Sequence, residues 1–500
     1  MNRYLLAGAL VLLAVGTSSA EGVGKQLTLK EAVKLAVENN LDVKAELYNP
    51  ASAWTDIYRA QGIYNPLLTL LANYQDSAAE TANRVTSGGE SVARQRTVTY
   101  NAGISQLIPT GGTVGAAFNN SWNHNNFGVA NINNFFQSDV TLNFTQPLLK
   151  NFGRETTELN INVAQFAKEG SLAQFQIKLT DIVSQVQTQY FQLYSARENL
   201  RVRKTALELA QRILTDTQAR VKAGVLPAYE ILNAQFGVAT QQKNLIDAER
   251  ALKDQMDVLR LLLQPGEVTD LIPVDTPYRD DYVIDEARAI RQSLAERPEL
   301  RQLRISLQTS ELQSRVAHTQ VQPQLDLNAS AAFTGLASTY NRDLERVASG
   351  QYPIWGVGIQ LTYPLGNDTA RNDYIKSKLK VAQTQTQVRS LEESVANEVR
   401  AAARAVRSGY LQLDVTSRGR AYADEVLQAF IKKQQVGLAT TKDVQDVLNN
   451  QVAAQGAEIQ ALADYNKAIT AFWKATAEIL QREGVTLNGK EADALYDTNR

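Results

Sequence analysis

The stretch FTQPL at 144–148 returns in altered form as LTYPL at 361–365, and this repetition decides the fold. The two prolines are 217 residues apart (364 − 147). An earlier pair of similar stretches, from NLDV at 40–43 to Pro66 and from RPEL at 297–300 to Pro323, is 257 residues apart (323 − 66). The first copy therefore carries 257 − 217 = 40 more residues between its two prolines, Pro66 and Pro147, than the second copy does between Pro323 and Pro364. A repeat of this size predicts one unit that was duplicated and then elaborated.

Each copy is predicted to contain a helix, strands, a long helix and a second helix. The predicted divisions are a signal peptide at 1–20, repeat one at 21–263 with an extra hairpin at about 97–122 and a tip at 224–230, a proline-rich connector at 264–284, repeat two at 285–482 with a tip at 437–446, and a polar tail at 483–500. We expect the polar tail to be poorly ordered.

Composition excludes several classes of function. Lys plus Arg is 51 and Asp plus Glu is 52, so no excess of positive charge points to nucleic acid. The absence of cysteine excludes disulfides, thiolate metal sites and an acylated N-terminal cysteine. His124 and His318 are the only histidines, so no metal site or cofactor is predicted. No nucleophile elbow, phosphate-binding glycine loop or HExxH pattern occurs, and an enzyme is not expected.

The first twenty residues have the pattern of a secretory signal. Arg3 precedes an apolar run from Tyr4 to Val15, and Ser18-Ser19-Ala20 supplies small residues for cleavage after Ala20. No other stretch approaches 18 apolar residues. If the mature chain crosses a membrane, it must therefore do so as a closed β-barrel.

The start of each copy predicts a helix followed by strands. Thr28 and Glu31 have capping-box spacing and open a helix to about Tyr64, with a break near Asn39-Asn40. Alternating apolar residues predict strands around 68–74, 98–104, 114–118, 140–144, 325–333 and 355–363, with loops at 77–96 and 124–137. Apolar positions separated by Asn, Thr, Gln and Gly favour a transmembrane barrel, and the edge of a soluble β-sandwich is the alternative. Two to four strands per chain cannot close a barrel, which needs about eight, so the barrel interpretation requires oligomerisation.

The remaining segments predict long helices. No proline occurs between Glu155 and Lys222, which corresponds to a rod on the order of 100 Å. Seven-residue spacing predicts left-handed coiled-coil seams, and a core stripe of an ordinary helical bundle is the alternative. The predicted seam of the first copy is Ile231, Val238, Leu245, Leu252 and Leu259, with Ala234, Ala248 and Leu262 beside it. The predicted seam of the second copy is Val447, Ala454, Ala461, Ala468 and Ala475, joined by Tyr465, Phe472 and Ile479.

Four motifs together resemble the TolC-like outer-membrane efflux protein family. They are LTLKEA at 27–32 continuing to VENN at 37–40, FTQPL at 144–148, and the two tips at 224–234 and 436–446. The resemblance implies an α+β membrane protein in which a homotrimer shares a transmembrane β-barrel in outer-membrane lipid and a long periplasmic α-helical coiled-coil barrel. It also implies a passive duct of a tripartite efflux or type I secretion system, with a periplasmic adaptor protein and an inner-membrane pump docking at the tips.

The resemblance assigns roles to particular tip residues. The adaptor contacts would be Gly224, Val225, Val436, Gly437 and Leu438. The pore-entrance acidic ring would contain Asp443, Asp446 and Glu230. Such a ring favours cations and binds blocking divalent ions. The alternative is that these carboxylates stabilise the start of a helix through its dipole.

The chain departs from the family pattern at the entrance. TolC has an arginine two residues after the second tip glycine, and here that position is Ala439. Three residues before that glycine stands Gln434 rather than tyrosine. The gate would then use other contacts, such as Lys442 or Arg220 with one of the acidic residues.

Two questions remain open from the sequence. Two strands per copy in a trimer give 2 × 2 × 3 = 12 barrel strands, and the extra hairpin would either widen that count or lie outside the barrel. The alternative function is an exported trimeric coiled-coil structural or surface protein without a pore. That alternative predicts one continuous heptad stalk, whereas this chain has hairpin tips and strands in both copies.

Overall fold

The computed structural model describes residues 25–80, 91–126, 132–265, 270–485 and 490–499. The predicted signal peptide lies outside these residues. The described chain forms two compact units. Unit one takes its described residues from 25–44, 179–291 and 398–485, and unit two takes them from 45–178, 292–397 and 490–499.

The helices, in chain order, are α1 (Leu29–Asn39), α2 (Leu41–Gln61), α3 (Arg154–Thr157), α4 (Leu159–Lys222), α5 (Tyr229–Leu263), α6 (Glu286–Glu296), α7 (Pro298–Thr319), α8 (Tyr340–Ser349), α9 (Asp368–Gln435), α10 (Thr441–Ala475), α11 (Ile479–Arg482) and α12 (Lys490–Asn499). The strands are β1 (Lys25–Leu27), β2 (Leu67–Glu80), β3 (Val92–Leu107), β4 (Thr113–Asn125), β5 (Asn134–Pro147), β6 (Leu271–Pro273), β7 (Gln324–Ala337) and β8 (Pro353–Thr362). Among the helices in the described ranges, none has the length and hydropathy needed to cross a membrane.

The start of unit one confirms the predicted capping box and the predicted break. The Thr28 hydroxyl accepts a hydrogen bond from the Glu31 N–H (3.2 Å), and the Glu31 carboxylate accepts one from the Thr28 N–H (3.0 Å). Helix α1 ends at Asn39. The Asn40 side-chain oxygen then accepts from the N–H groups of Asp42 and Val43, which satisfies the first free donors of α2.

The core of unit one is built around Tyr465 of α10. This side chain is fully buried and lies in one cluster with Val399, Leu462 and Phe472. Its hydroxyl donates to the Asp280 carbonyl (2.6 Å) and accepts from the Tyr282 N–H (3.0 Å). Because both partners lie in the predicted connector, one tyrosine fastens that irregular segment to the helices.

A buried carboxylate makes a second link to the connector. Glu458 of α10 is only 5% exposed, and its two oxygens accept from Arg279 of the connector (3.2 Å) and Arg420 of α9 (2.8 Å). Burial raises the pKa of Glu458, but the hydrogen bonds and charges of the two arginines outweigh that effect and leave the pKa below its ordinary value. The carboxylate is therefore held in its ionised form.

The predicted apolar stripes of α5 and α10 are confirmed in part. In α5, Ala234 and Leu259 are buried as predicted, whereas Ile231, Val238, Leu245 and Leu252 are half-buried and Glu230, Gly237 and Gln241 are buried near the tip. In α10, Tyr465, Phe472 and Ala475 are buried as predicted, whereas Val447, Ala454, Ala461 and Ala468 are half-buried. The buried stripe therefore matches the prediction best at the C-terminal ends of the two helices.

Unit two contains a six-stranded antiparallel sheet with the order β2-β3-β4-β5-β7-β8. All six predicted strand segments are present, so the chain supplies more than the two to four strands used in the barrel argument. The strands also extend into both predicted loops, because β2 reaches Glu80, β3 begins at Val92, β4 reaches Asn125 and β5 begins at Asn134. Polar residues are accommodated there by cross-strand pairs such as Arg96 with Asp76 (3.2 Å).

Two helices of unit two correct the sequence prediction. Helix α8 was not predicted. It follows β7 and precedes β8 in the chain, and it packs on the sheet at Gly335, whose lack of a side chain lets the α8 backbone approach closely. Helix α12 forms within the tail that we expected to be poorly ordered. Asp493 of α12 accepts from the Trp54 indole and from the Lys168 ammonium, which lies 3.4 Å from the centre of the Trp54 ring. The polar composition of the tail could not predict these contacts, because they join it to segments far away in the sequence.

Candidate functional sites: the hairpin tips and an amphipathic sheet

The first tip joins α4 to α5 through a left-handed glycine. Gly224 has φ +78°, a conformation that side chains with a Cβ rarely adopt. The Gly224 N–H donates to the Val221 carbonyl and the Val225 N–H to the Arg220 carbonyl, both at 2.9 Å. These two bonds form a Schellman motif, which ends the long helix at a defined residue.

The second tip joins α9 to α10 in the same way. Gly437 has φ +80°. Its N–H donates to the Gln434 carbonyl (3.1 Å), and the Leu438 N–H donates to the Lys433 carbonyl (2.8 Å). The two tips therefore end in the same motif, and Val225 and Leu438 occupy the same position within it.

Apolar side chains at the tips are exposed. Val225 is 69% exposed and Leu438 is 78% exposed, and Val436 is also exposed. The tip backbone is satisfied by its own Schellman bonds, so these side chains are free to contact another molecule. Exposed apolar groups on a rigid turn are typical of a docking surface.

Side-chain bonds hold the two tips against each other within unit one. The Arg220 guanidinium pairs with Asp216 (2.9 Å) and donates to the Gln434 carbonyl of the second tip (2.8 Å). The Gln445 amide donates to the Asn233 carbonyl (2.8 Å), and it occupies space that a Cβ on Gly237 would fill. Arg220 thus contacts Asp216 and the second tip.

The three predicted ring carboxylates lie in different environments. Asp443 is exposed and completes a capping box with Thr440, because its carboxylate accepts from the Thr440 N–H (2.8 Å) and the Thr440 hydroxyl accepts from the Asp443 N–H (3.1 Å). The bond from the Thr440 backbone, followed by the bond from its hydroxyl, holds the pKa of Asp443 below its ordinary value. Asp443 therefore stays ionised in its exposed position at the start of α10.

Asp446 and Glu230 differ from Asp443 and from each other. Asp446 is exposed and lines a polar cavity of about 290 Å³ between α5 and α10, together with Lys442 and Asn449. Glu230 is 4% exposed, and its Oε2 has no hydrogen-bond partner among the described residues. The structure thus places two of the three carboxylates on the surface and the third inside unit one.

Replacing Thr440 by alanine should loosen the start of α10. The change removes the hydroxyl that accepts from the Asp443 N–H, which costs about 1 kcal/mol. We expect hydrogen exchange at the first turn of α10 to become about fivefold faster. Thr240→Ala is the control, because its hydroxyl bonds only to the Phe236 carbonyl of its own helix. Equal exchange in the two variants would contradict the role assigned to the cap.

The sheet of unit two has one apolar and one polar face. Residues directly opposite one another in antiparallel strands point to the same face. The pairing registers align Leu68, Ile104, Ala116, Leu142, Ala331 and Trp355 in one row across all six strands. The opposite face carries Asn73, Thr99, Ser121, Thr141, Ser330 and Gln360. One side of the sheet is therefore mainly apolar and the other mainly polar, although the polar side also carries Leu71 and Ile354.

Helix α8 covers the place where polar residues interrupt the apolar face. The Ser138 hydroxyl donates to the Asn120 side-chain oxygen (2.9 Å), which also accepts from the Tyr340 hydroxyl of α8 (3.3 Å). Phe136 packs against the Tyr340 ring at 5.6 Å. The polar pair is thus removed from the surrounding medium.

The sequence matches the family model described as outer membrane efflux protein over residues 113–263 and 289–478. The chain belongs to this family. This match confirms the family predicted from the four sequence motifs. It also confirms the predicted transport role and the predicted location in the outer membrane.

One curated relative of this family member is the pyoverdine export outer membrane protein OpmQ of Pseudomonas aeruginosa, at 27% identity over 193 residues. The match covers 38% of this chain and 38% of that relative.

Solved structures of bacterial outer membrane proteins share the fold. The CmeC outer membrane channel of Campylobacter jejuni is 17% identical with a TM-score of 0.62, and the alignment covers 94% of this chain and 89% of that one. The outer membrane protein VceC of Vibrio cholerae is 14% identical with a TM-score of 0.64, and coverage is 90% and 95%. At these identities the likeness establishes the shared fold.

Sequence reasoning missed several residues at these sites. Arg220 was considered only as a partner for the ring carboxylates, and its bond to the second tip could not be derived from spacing. Gly237 had a detectable signal, since a glycine inside a helix usually marks a close approach. Thr440 also had one, because Thr-x-x-Asp resembles the capping-box pattern found at Thr28.

Proposed function

We propose that three copies of this chain form a passive exit duct through the outer membrane, as part of a tripartite efflux or type I secretion system. The observation that carries the proposal is the six-stranded sheet, which has one mainly apolar face, one mainly polar face and two edges that pair with no other strand of the described residues. An amphipathic sheet of this kind suits a barrel wall with lipid outside and water inside.

Several copies are required because one chain has too few strands. Six strands fall short of the roughly eight that the smallest barrels contain. Open strand edges within lipid would leave backbone groups without partners, at a cost of several kcal/mol each. Closure with neighbouring copies removes those edges, and the family resemblance supports three as the number of copies.

The proposed domain division rests on duplication. Strand β7 begins 257 residues after β2 (324 − 67), which equals the first sequence offset. Strand β8 lies at 353–362, within the 351–364 expected from β5 at the second offset of 217. Helices α5 and α10 each contain 35 residues. In this interpretation β3, β4 and their turn are the elaboration of the first copy.

In the proposed system, the tips dock a periplasmic adaptor and an inner-membrane pump. Gly224 and Gly437 allow the turns, and Val225, Val436 and Leu438 supply an exposed apolar surface. Such a surface would take an apolar partner, since its burial is favourable at about 25 cal/mol per Å². The chain itself would act as a conduit and not as an enzyme.

Replacing both exposed tip carboxylates should abolish block by divalent cations. In a trimer, three copies of Asp443 and three of Asp446 would surround the entrance and bind divalent ions. We expect small cation-selective currents in planar bilayers, blocked by added divalent cations in the wild type and much less in Asp443→Asn/Asp446→Asn. Asparagine is chosen because its side-chain oxygen still accepts from the Thr440 N–H.

Glu230→Gln is the matched control, because it removes a carboxylate that is buried in unit one. It should leave block by divalent cations unchanged. Retained block in the double variant would remove Asp443 and Asp446 from the entrance. A trimer that resists detergent but shows no current would have a sealed gate, and removal of the tip would then restore conductance. Absence of both trimer and current would refute the duct and favour the exported coiled-coil alternative.

A further inference from the structure

The extra hairpin of the first copy is an internal part of the sheet. Strands β3 and β4 lie between β2 and β5 and are paired on both sides. The β2–β3 ladder runs without interruption from Leu67 opposite Ser105 to Glu80 opposite Val92. On its other side the hairpin pairs with β5 from Thr113 opposite Thr145 to His124 opposite Asn134. Removing it would leave β2 and β5 separated by the width of two strands.

The hairpin continues both faces of the sheet. On the apolar face, Ala102 and Phe118 stand in one row with Leu70 and Val140 of the flanking strands. On the polar face, its residues include Thr99, Asn101, Gly115 and Ser121. A hairpin lying outside a barrel would not need an apolar and a polar side in register with the neighbouring strands. This pattern is that of barrel wall.

The two edge strands, β2 and β8, have the direction and exposure needed to pair with each other between neighbouring chains. Every neighbouring pair is antiparallel, so β2 and β8 run in opposite directions, as the ends of an even-numbered sheet must. Both edge strands are exposed along their whole length. Residues 67–75 and 353–363 contain no charged side chain. Proteins usually protect a free edge with charges or bulges, and these two stretches of the edges lack charges.

We propose that β8 of each copy pairs with β2 of the next, and that three copies close one barrel of 6 × 3 = 18 strands. The proposal rests on the trimeric duct proposed above. With the hairpin outside the barrel, the count would be 12, and barrel diameter grows roughly linearly with strand number. The exit through the outer membrane is therefore about 1.5-fold wider than a 12-stranded one.

The duplication within each chain also predicts the register between neighbouring chains of the trimer. Within the chain, β5 pairs with β7 with Phe144 opposite Ala329. The two offsets between the repeats transfer this pairing to the edge strands. Phe144 + 217 gives Leu361 and Ala329 − 257 gives Ala72, so Leu361 of one chain should lie opposite Ala72 of the next. Both side chains lie on the apolar face. The adjacent pair, Gln360 with Asn73, lies on the polar face, as barrel closure requires.

The strand count is tested by electron cryo-microscopy of the full-length trimer in lipid nanodiscs. A cross-section through the barrel should contain 18 strands, with β3 and β4 in the wall. A barrel of 12 strands with the hairpin outside would overturn the proposal. A variant lacking residues 92–125 should close with 12 strands and a narrower exit, since β2 and β5 then form an antiparallel pair like β7 and β8. If that variant does not fold, the wild-type strand count still decides.

The register is tested by cross-linking, for which the absence of cysteine is an advantage. Asn73→Cys/Gln360→Cys should give covalent trimers with a short thiol-reactive linker. Asn73→Cys/Thr141→Cys is the control, because Thr141 lies on a central strand and cannot meet a neighbouring copy. Cross-linking together with 12 strands would retain the duct and reject the wide barrel. A stable trimer without cross-linking would overturn the register, and a monomer would refute the duct itself.

Discussion

Replacing Val225 and Leu438 by aspartate should strongly weaken binding of the proposed periplasmic adaptor and leave the proposed trimer intact. The two side chains are 69% and 78% exposed, and the Schellman bonds beside them are made by backbone groups. The fold should therefore tolerate the change. At an apolar interface, each new carboxylate would be buried without a partner, which costs about 3–5 kcal/mol. We expect the dissociation constant for the proposed adaptor to rise at least about a hundredfold, measured by interferometry with a purified periplasmic adaptor protein.

The matched control keeps the surface apolar. Val225→Ile/Leu438→Met preserves the size class and lacks charge, so binding should change by less than about tenfold. Export in cells should follow binding in both variants. If the double aspartate variant bound the adaptor as well as the wild type, the tips would not be the docking surface.

Replacing Tyr465 by alanine should lower the free energy of unfolding by about 4 kcal/mol, the cost typical of removing a large buried ring. The side chain is 0% exposed and packs against Tyr410 (5.9 Å) and close to the Gly409 backbone. Tyr465→Phe keeps the ring and removes the bonds to Asp280 and Tyr282, which should cost about 1–3 kcal/mol. Denaturation of the purified protein, followed by circular dichroism, provides the measurement.

Tyr422 supplies the comparison for the Tyr465 variants, because it lies on α9 and is exposed. Tyr422→Ala should change the free energy of unfolding by less than about 0.5 kcal/mol. Equal destabilisation by the two alanine variants would mean that Tyr465 has no special role. The phenylalanine variant should also expose the connector selectively, and faster hydrogen exchange at the Tyr282 N–H would identify that effect.

The elements with strong local signals were predictable from the sequence. The capping box at Thr28, the break at Asn40 and the ends of the long helices at Gly224 and Gly437 all depend on residues within a few positions of each other. The alternation in β8 is similarly local, since Trp355, Val357 and Ile359 follow one another on one face. Backbone conformation at these places is decided by short-range hydrogen bonds and by the lack of a Cβ.

Contacts between distant segments were not predictable. The tail at 490–499 is polar, yet α12 is held by Asp493 against Trp54 and Lys168, more than 300 residues away. Helix α8 depends on Gly335 and on the Tyr340–Asn120 bond across strands. The loops predicted at 77–96 and 124–137 were too long because ladder hydrogen bonds extend strands through polar residues. Such bonds depend on the partner strand and not on local composition.

The sequence by itself predicted the duplication, the period of the helices and the alternation of the strands, because each is a repeated local pattern. It also carries the match to the outer membrane efflux protein family. Only the tertiary structure decided that Glu230, Gly237 and Gln241 are buried at the tip end of α5, and that β3 and β4 stand between β2 and β5. In the sequence, heptad spacing fixes how often a helix residue returns to the same side, and alternation fixes which strand residues share a face. Which neighbour covers a face depends on the packing of side chains from segments far apart in the chain.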